Sequence, residues 1–345
     1  MMSAMRAICR SRAAAQGAAP KISAWPVGKL AIMRGMTPRF LLRPFATFVV
    51  VFSASCSSPS MTTVPGITAY HGGQTQEEIR SALPYSASPQ PVYFAGPSSI
   101  STNAPSIHAA SYILVNARNG NVLAARNADE PRGAASTQKL LTALIVAECG
   151  NLDARVRISS ADVSVEPTKL GVRVGDSYTR RELLIAFLVK SANDVAAALA
   201  RDNAGSLSAF AERMNMRARS LGATDSNFET PHGLTAPGQH STARDMARIA
   251  MAAYSNPVVR DAVRRKYFSF TFSNGRSVTL ENTNDLLGRM PECDGMKTGY
   301  TGPAGRCLIS TAHNPRSSVL LVQLGTHTKY IWDDGEALMR WGLAR

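Results

Sequence analysis

Acid and cysteine are the scarce residues of this chain. It carries 24 Asp and Glu against 38 Lys and Arg, and five cysteines in 345 residues. Cys9, Cys56, Cys149, Cys293 and Cys307 form no C-x-x-C and no Cys/His metal spacing. The six histidines are scattered without an H-x-x-x-H or H-E-x-x-H, so the zinc-peptidase pattern is excluded and no metal or other cofactor is expected. Runs of five like charges are missing, as is any ladder of aromatics interleaved with Arg. The positive balance therefore does not point to nucleic acid.

That balance is unevenly placed. Residues 1–55 hold eight Lys or Arg and no acid, so +6 of the formal +14 is left for the remainder. The apolar stretch Phe45 to Phe52 is too short to span a bilayer but suits the core of a secretory signal. Small residues before Cys56 resemble a bacterial lipobox, with Ser53 standing where Leu is usual. A lipid-anchored Cys56 and a cleaved signal with an incidental cysteine both stay open, as does a start at Met33 or Met36. Residues 1–56 are read as an N-terminal extension and signal. Residues 57–106, rich in Ser, Pro, Gly and Thr, have the composition of a disordered linker. Residues 107–345 are long enough for one large folded domain.

Within that domain Ser111 to Val115 and Val122 to Ala125 read as strands around an Asn119-Gly120 turn. Pro131 and Gly133 then precede an apolar run, Leu140 to Ala147, expected to be a helix buried all round and closed near Gly150. Residues 151–178 read as loops and small strands. Thr179-Arg180-Arg181-Glu182 has the form of a capping box and opens a helix through Lys190. Further helices are expected at Asp194 to Arg201, Leu207 to Leu221, Thr242 to Tyr254, after Asn256-Pro257, and from Asp333 to Trp341. Phe268, Phe270 and Phe272 before Asn274-Gly275 signal a hairpin. Strands are expected at Lys297-Thr298-Gly299, Cys307 to Thr311 and Val319 to Leu324. Strands at both ends with helices between imply an α+β domain with one sheet assembled from its two termini.

Ser136 and Lys139 lie three apart at the start of the buried helix and so share a face. A buried lysine can serve as base to a serine nucleophile, and the free N–H groups of a helix start suit a developing oxyanion. S-x-x-K alone is common. Here Ser191-Ala192-Asn193 (S-x-N) and Lys297-Thr298-Gly299 (K-T-G) follow in order, the motif set of serine penicillin-binding proteins and serine β-lactamases. With the segments Phe228 to Leu234, His240 to Ala243, Asn282 to Leu287 and Asp294 to Thr301, residues 107–345 resemble D-alanyl-D-alanine carboxypeptidases of low molecular mass.

The resemblance implies an antiparallel sheet flanked by helices plus a mostly helical subdomain, the site lying in the cleft between them. It implies Ser136 as nucleophile, Lys139 as general base and Ser191 as relay to the leaving group. Asn193 would orient the substrate's peptide carbonyl. Lys297 would supply a second cation or hold the substrate carboxylate with Thr298. Gly299 would admit the substrate backbone, and the N–H groups of Ser136 and Tyr300 would form the oxyanion hole. The implied partners are peptidoglycan stem peptides and acylating β-lactams, met outside the cytoplasmic membrane; attachment to that membrane through the N-terminus is as open as the lipobox. A crosslink endopeptidase and a non-catalytic wall binder share these motifs. A class A β-lactamase is disfavoured, because no E-x-x-L-N follows Ser191. His232, His240, Asp194 and Glu229 are read as structural, capping or solvated. Cys293 and Cys307 flank the K-T-G strand and its turn. A disulfide between them and two buried thiols are both open.

Overall fold

In the computed structural model Phe94 and residues 103–345 are described. The signal, lipobox and start-site expectations, and the linker as far as residue 102, lie outside the described residues. Alternation of apolar side chains builds the sheet. Strands β1 (Ser111–Asn116) and β2 (Val122–Arg126) pair antiparallel around the Asn119-Gly120 turn. A second pair, β3 (Arg155–Arg157) and β4 (Ser177–Thr179), stands apart, as does the hairpin of β5 (Tyr267–Thr271) and β6 (Ser277–Glu281). The last three strands, β7 (Cys293–Thr301), β8 (Gly305–His313) and β9 (Ser318–Thr326), run antiparallel, and β9 pairs with β1. The sheet order is therefore β2-β1-β9-β8-β7, which joins the two ends of the domain and leaves β7 at an edge.

Successive residues of a strand face opposite sides. Ile113, Val115, Ile309, Leu320 and Val322 point to one core; Leu114, Leu308, Val319 and Leu321 point to the other. A 3₁₀ turn, Ala135–Gln138, leads into α1 (Lys139–Glu148), where every residue from Lys139 to Val146 is buried. α2 (Ser160–Val163) is one turn long. Around α1 pack α3 (Arg180–Lys190), α4 (Asn193–Ala204), α5 (Leu207–Ser220), α6 (Ala243–Ser255) and α7 (Pro257–Val263). α6 also lies on β1 and β9, so it joins the helical subdomain to the first face of the sheet. After α8 (Leu286–Arg289), α9 (Ile331–Leu343) covers the other face with Leu338 and Met339.

Local chemistry sets the element ends. The capping box forms reciprocally: Glu182 N–H donates to Thr179 Oγ1 at 3.1 Å, and Thr179 N–H donates to Glu182 Oε2 at 2.8 Å. Pro257 opens α7 under an Asn256 cap. α2 and α8 are not signalled by the sequence, since four residues carry too little periodicity to register.

The cysteine question resolves against the disulfide. Cys307 is paired opposite Gly299, whereas Cys293 is opposite Ala312. The two therefore sit roughly 17 Å apart along the hairpin, beyond the ~7 Å Cα limit of a bridge. Cys149, Cys293 and Cys307 are free thiols, and burial pushes Cys293 and Cys307 up to about 11. Unfolding in iodoacetamide without reductant should alkylate both Cys293 and Cys307 completely. A peptide map recovering a Cys293–Cys307 crosslink would contradict this register.

Candidate active site

The 3₁₀ turn presents Ser136, and α1 begins with the buried Lys139 directly after it. The amine of Lys139 lies 2.7 Å from Ser136 Oγ, and it donates to Asn193 Oδ1 at 2.7 Å and to the carbonyl of His232. Among the described residues no carboxylate pairs with it. Burial drives its pKa well below the ordinary lysine value, and the charge of Lys297 pushes the same way. A neutral amine has two N–H donors and one lone pair. Asn193 Oδ1 and His232 O can take the donors, leaving the lone pair for the Ser136 hydroxyl. The arrangement is that of a serine nucleophile with its base in place.

A loop from Thr230 to Gly233 runs along the first turns of α1 and holds the pair. Gln138 Nε2 donates to Thr230 O, Thr142 Oγ1 to Pro231 O at 2.7 Å, and Lys139 to His232 O. Ser136 Oγ also lies 3.2 Å from His232 O. Gly233 is required here on two counts. Its φ is +85°, and a Cβ on it would fall 2.1 Å from Ala135 O. The His232 ring is structural, as read: Leu234 N–H donates to its Nδ1 at 3.2 Å, and burial beside Lys139 pushes the imidazole down to about 3. Its backbone carbonyl, an acceptor for the base, gave no signal in the sequence.

Ser191 ends α3 in the left-handed conformation, φ +63°, and is followed by α4 beginning at Asn193. A non-glycine residue held there is strained, and the turn directs Ser191 into the cleft with Ser136. Asn193 does not face open cleft. It is 2 % exposed, with Oδ1 on Lys139 and Nδ2 donating to Pro167 O. It holds the base and a loop. Asp194, read as capping or solvated, is fully buried in the first turn of α4. Its carboxylate accepts from Val195 N at 2.9 Å and from Leu170 N and Gly171 N, both at 3.0 Å. Together the two residues clamp the loop that brings Thr168 to the cleft. The Glu229 carboxylate accepts from Asn227 Nδ2 at 2.7 Å, and the His240 ring lies 2.8 Å from Gly238 O.

Strand β7 forms the opposite wall. Lys297 is 1 % exposed, donates to Thr298 O at 3.0 Å, and is pushed down to about 7 by burial. Thr298 Oγ1 is 2.6 Å from Thr283 Oγ1. A Cβ on Gly299 would fall 2.8 Å from Ser136 N and 3.0 Å from Ala135 Cβ, so only glycine lets β7 pass the turn this closely. Tyr300 follows, its ring exposed under the Arg306 guanidinium, 4.6 Å from the ring centroid. The cleft between the walls has a volume of about 430 Å³; Ser136, Ser191, Thr298, Gly299, Thr168 and Arg306 line it. Arg306 was not singled out from sequence; it carries no motif, and only the β7–β8 pairing brings it beside Tyr300.

A serine–lysine pair at the junction of an antiparallel sheet and a helical subdomain defines an active-site serine peptidase with the penicillin-binding fold. The sequence model of the D-alanyl-D-alanine carboxypeptidase family, peptidase S11, matches residues 98–328, and this chain belongs to that family. It is 35% identical over 242 residues to D-alanyl-D-alanine carboxypeptidase DacB2 of Mycobacterium tuberculosis, covering 68% of this chain and 82% of that protein. It is 35% identical over 253 residues to DacC of Escherichia coli, covering 69% of this chain but 62% of that longer relative. A crystal structure of a D-alanyl-D-alanine carboxypeptidase from M. tuberculosis superposes with a TM-score of 0.69 at 33% identity, over 73% of this chain and 97% of that one.

Gly299→Ala should slow labelling by a fluorescent penicillin about a hundredfold, the effect of an ångström-scale displacement of reacting groups. Its thermal melt should stay cooperative. Labelling at the wild-type rate would show that the close approach of β7 to Ser136 is not used.

Proposed function

We propose that this chain is a serine D-alanyl-D-alanine carboxypeptidase that removes the terminal D-alanine from peptidoglycan stem peptides through an acyl-enzyme on Ser136. The observation that carries the reading is the buried Lys139 amine, 2.7 Å from Ser136 Oγ, with no carboxylate paired to it among the described residues. Lys139 accepts the Ser136 proton as Oγ attacks the penultimate carbonyl. The oxyanion is taken by the backbone N–H groups of Ser136 and Tyr300, a pairing supported by the approach of Gly299 to Ser136 N. Ser191, in the same cleft, passes the proton to the departing D-alanine. Thr298 and Arg306 hold the terminal carboxylate, Arg306 being the basic side chain among the residues lining the cleft. Lys297 is buried, and its charge helps to keep the Lys139 pKa low. Asn193 keeps the base in place. β-Lactams would acylate the same serine.

The N-terminal sequence supports export and action outside the cytoplasmic membrane, with residues 1–56 as signal or lipid anchor and 57–106 as tether. D-alanine release from a short peptide ending in D-Ala-D-Ala, with Ser136→Ala beside the wild type, tests the reading. Release that disappears in the variant is expected. A folded wild type that releases none would leave a crosslink endopeptidase or a wall binder.

The pH dependence follows from the base. Only neutral Lys139 can accept the proton, so acylation should rise as pH climbs through its pKa and then level. Lys297→Met removes the second cation, raising the Lys139 pKa and moving that limb to higher pH. A limb left unmoved in a penicillin-acylation profile would separate Lys297 from the tuning of the base.

A further inference from the structure

The cleft extends beyond what a terminal D-alanine fills. Besides Thr298 and its partner Thr283, the cleft is lined by Asp285, Thr328, Ile331 and Trp332. Asp285 sits at the start of α8, exposed, without a capping bond, and no ion pair of its carboxylate is found among the described residues. On its other side a second cavity of about 330 Å³ is shared with Lys266 and Arg289. Arg289 is committed to Asp333 and Glu336, and Lys266 lies over the Tyr267 ring. The carboxylate thus stands without an ion pair among the described residues, in the same cleft as Thr298 and Arg306.

We propose that Asp285 is a specificity-determining residue of the leaving-residue subsite, selecting departing D-amino acids that carry a cationic side chain. The inference rests on the carboxypeptidase reading above, which fixes Thr298 and Arg306 as the carboxylate end. In the reaction Ser136 Oγ bonds to the penultimate carbonyl carbon and the amide C–N bond breaks. The Ser136 proton ends on the departing amine. The departing residue keeps its α-carboxylate at Arg306, and its side chain extends along the wall toward Asp285. An ammonium there meets an opposite charge, and a second carboxylate meets a like one. A methyl group leaves this part of the cleft to water.

The test uses the full chain and three N-acylated peptides ending in D-Ala-D-Ala, D-Ala-D-Lys and D-Ala-D-Glu, with kcat/KM measured for release of the last residue. The wild type should favour the D-Lys peptide over the D-Glu peptide by about tenfold, the size of gaining one partly solvated charge contact and losing another. In Asp285→Asn that ratio should fall to near one, and in Asp285→Lys it should invert. Penicillin labelling of each variant reports whether the site is folded. Release from all three peptides without charge preference, or a preference that Asp285→Asn retains, would overturn the proposal and leave the carboxypeptidase intact. No release from any peptide would overturn both.

Discussion

An amine buried with no counter-ion among the described residues is the constraint around which this domain is arranged. Lys139 is surrounded by dipoles: a hydroxyl at Ser136, a carboxamide at Asn193 and a backbone carbonyl at His232. A carboxylate in any of those places would hold the ammonium form and take away the base. Dipoles orient the amine while leaving its charge unfavourable, and Lys297 adds a like charge that deepens the effect. The interior of the helical subdomain supplies the desolvation, which is why α1 must be enclosed by five other helices.

Each acceptor of that amine is itself fixed from a different part of the chain. The His232 carbonyl is placed by side chains of the α1 region that bond the preceding carbonyls of its loop. Asn193 is held by Pro167 O at its Nδ2, and its own N–H donates to Thr168 O at 2.8 Å. Asp194 then gathers the same loop through Leu170 and Gly171. The nucleophile, the base and the cleft rim are thus parts of one hydrogen-bonded assembly. Segments from residues 136, 168, 193, 232 and 299 meet there.

Much of this was legible in the sequence because it rests on local or repeating patterns. The Leu140 to Ala147 run announced a helix buried on all sides, Thr179 and Glu182 announced a capped start, and strand alternation announced a sheet from the two termini. The motif residues Ser136, Lys139, Ser191 and Asn193 were recognisable by type and order, and they do converge. What escaped depends on long-range pairing. The His232 carbonyl is a backbone atom and has no letter of its own. Arg306 reaches the cleft only through the register of β7 and β8. Asp194 was read as a capping or solvated acid, and its bonds to the loop before it had no sign in the sequence. The cysteine pair looked close in sequence, but a hairpin with a short turn places residues near its tip and residues near its base far apart.

Two buried lysines with no counter-ion among the described residues also govern how the fold responds to acidity. Lys297 is pushed down to about 7 from an ordinary 10.5. Between those values the unfolded chain binds more protons than the folded one, so this group makes the folded state gain stability as pH rises through that window. Below about 7 its destabilising effect is fully present, and above about 10.5 it is gone. Lys139 acts with the same sign. The feature that readies the serine is therefore a standing strain on the native state at neutral pH. The large apolar cores on both faces of the sheet are what allow the domain to carry it.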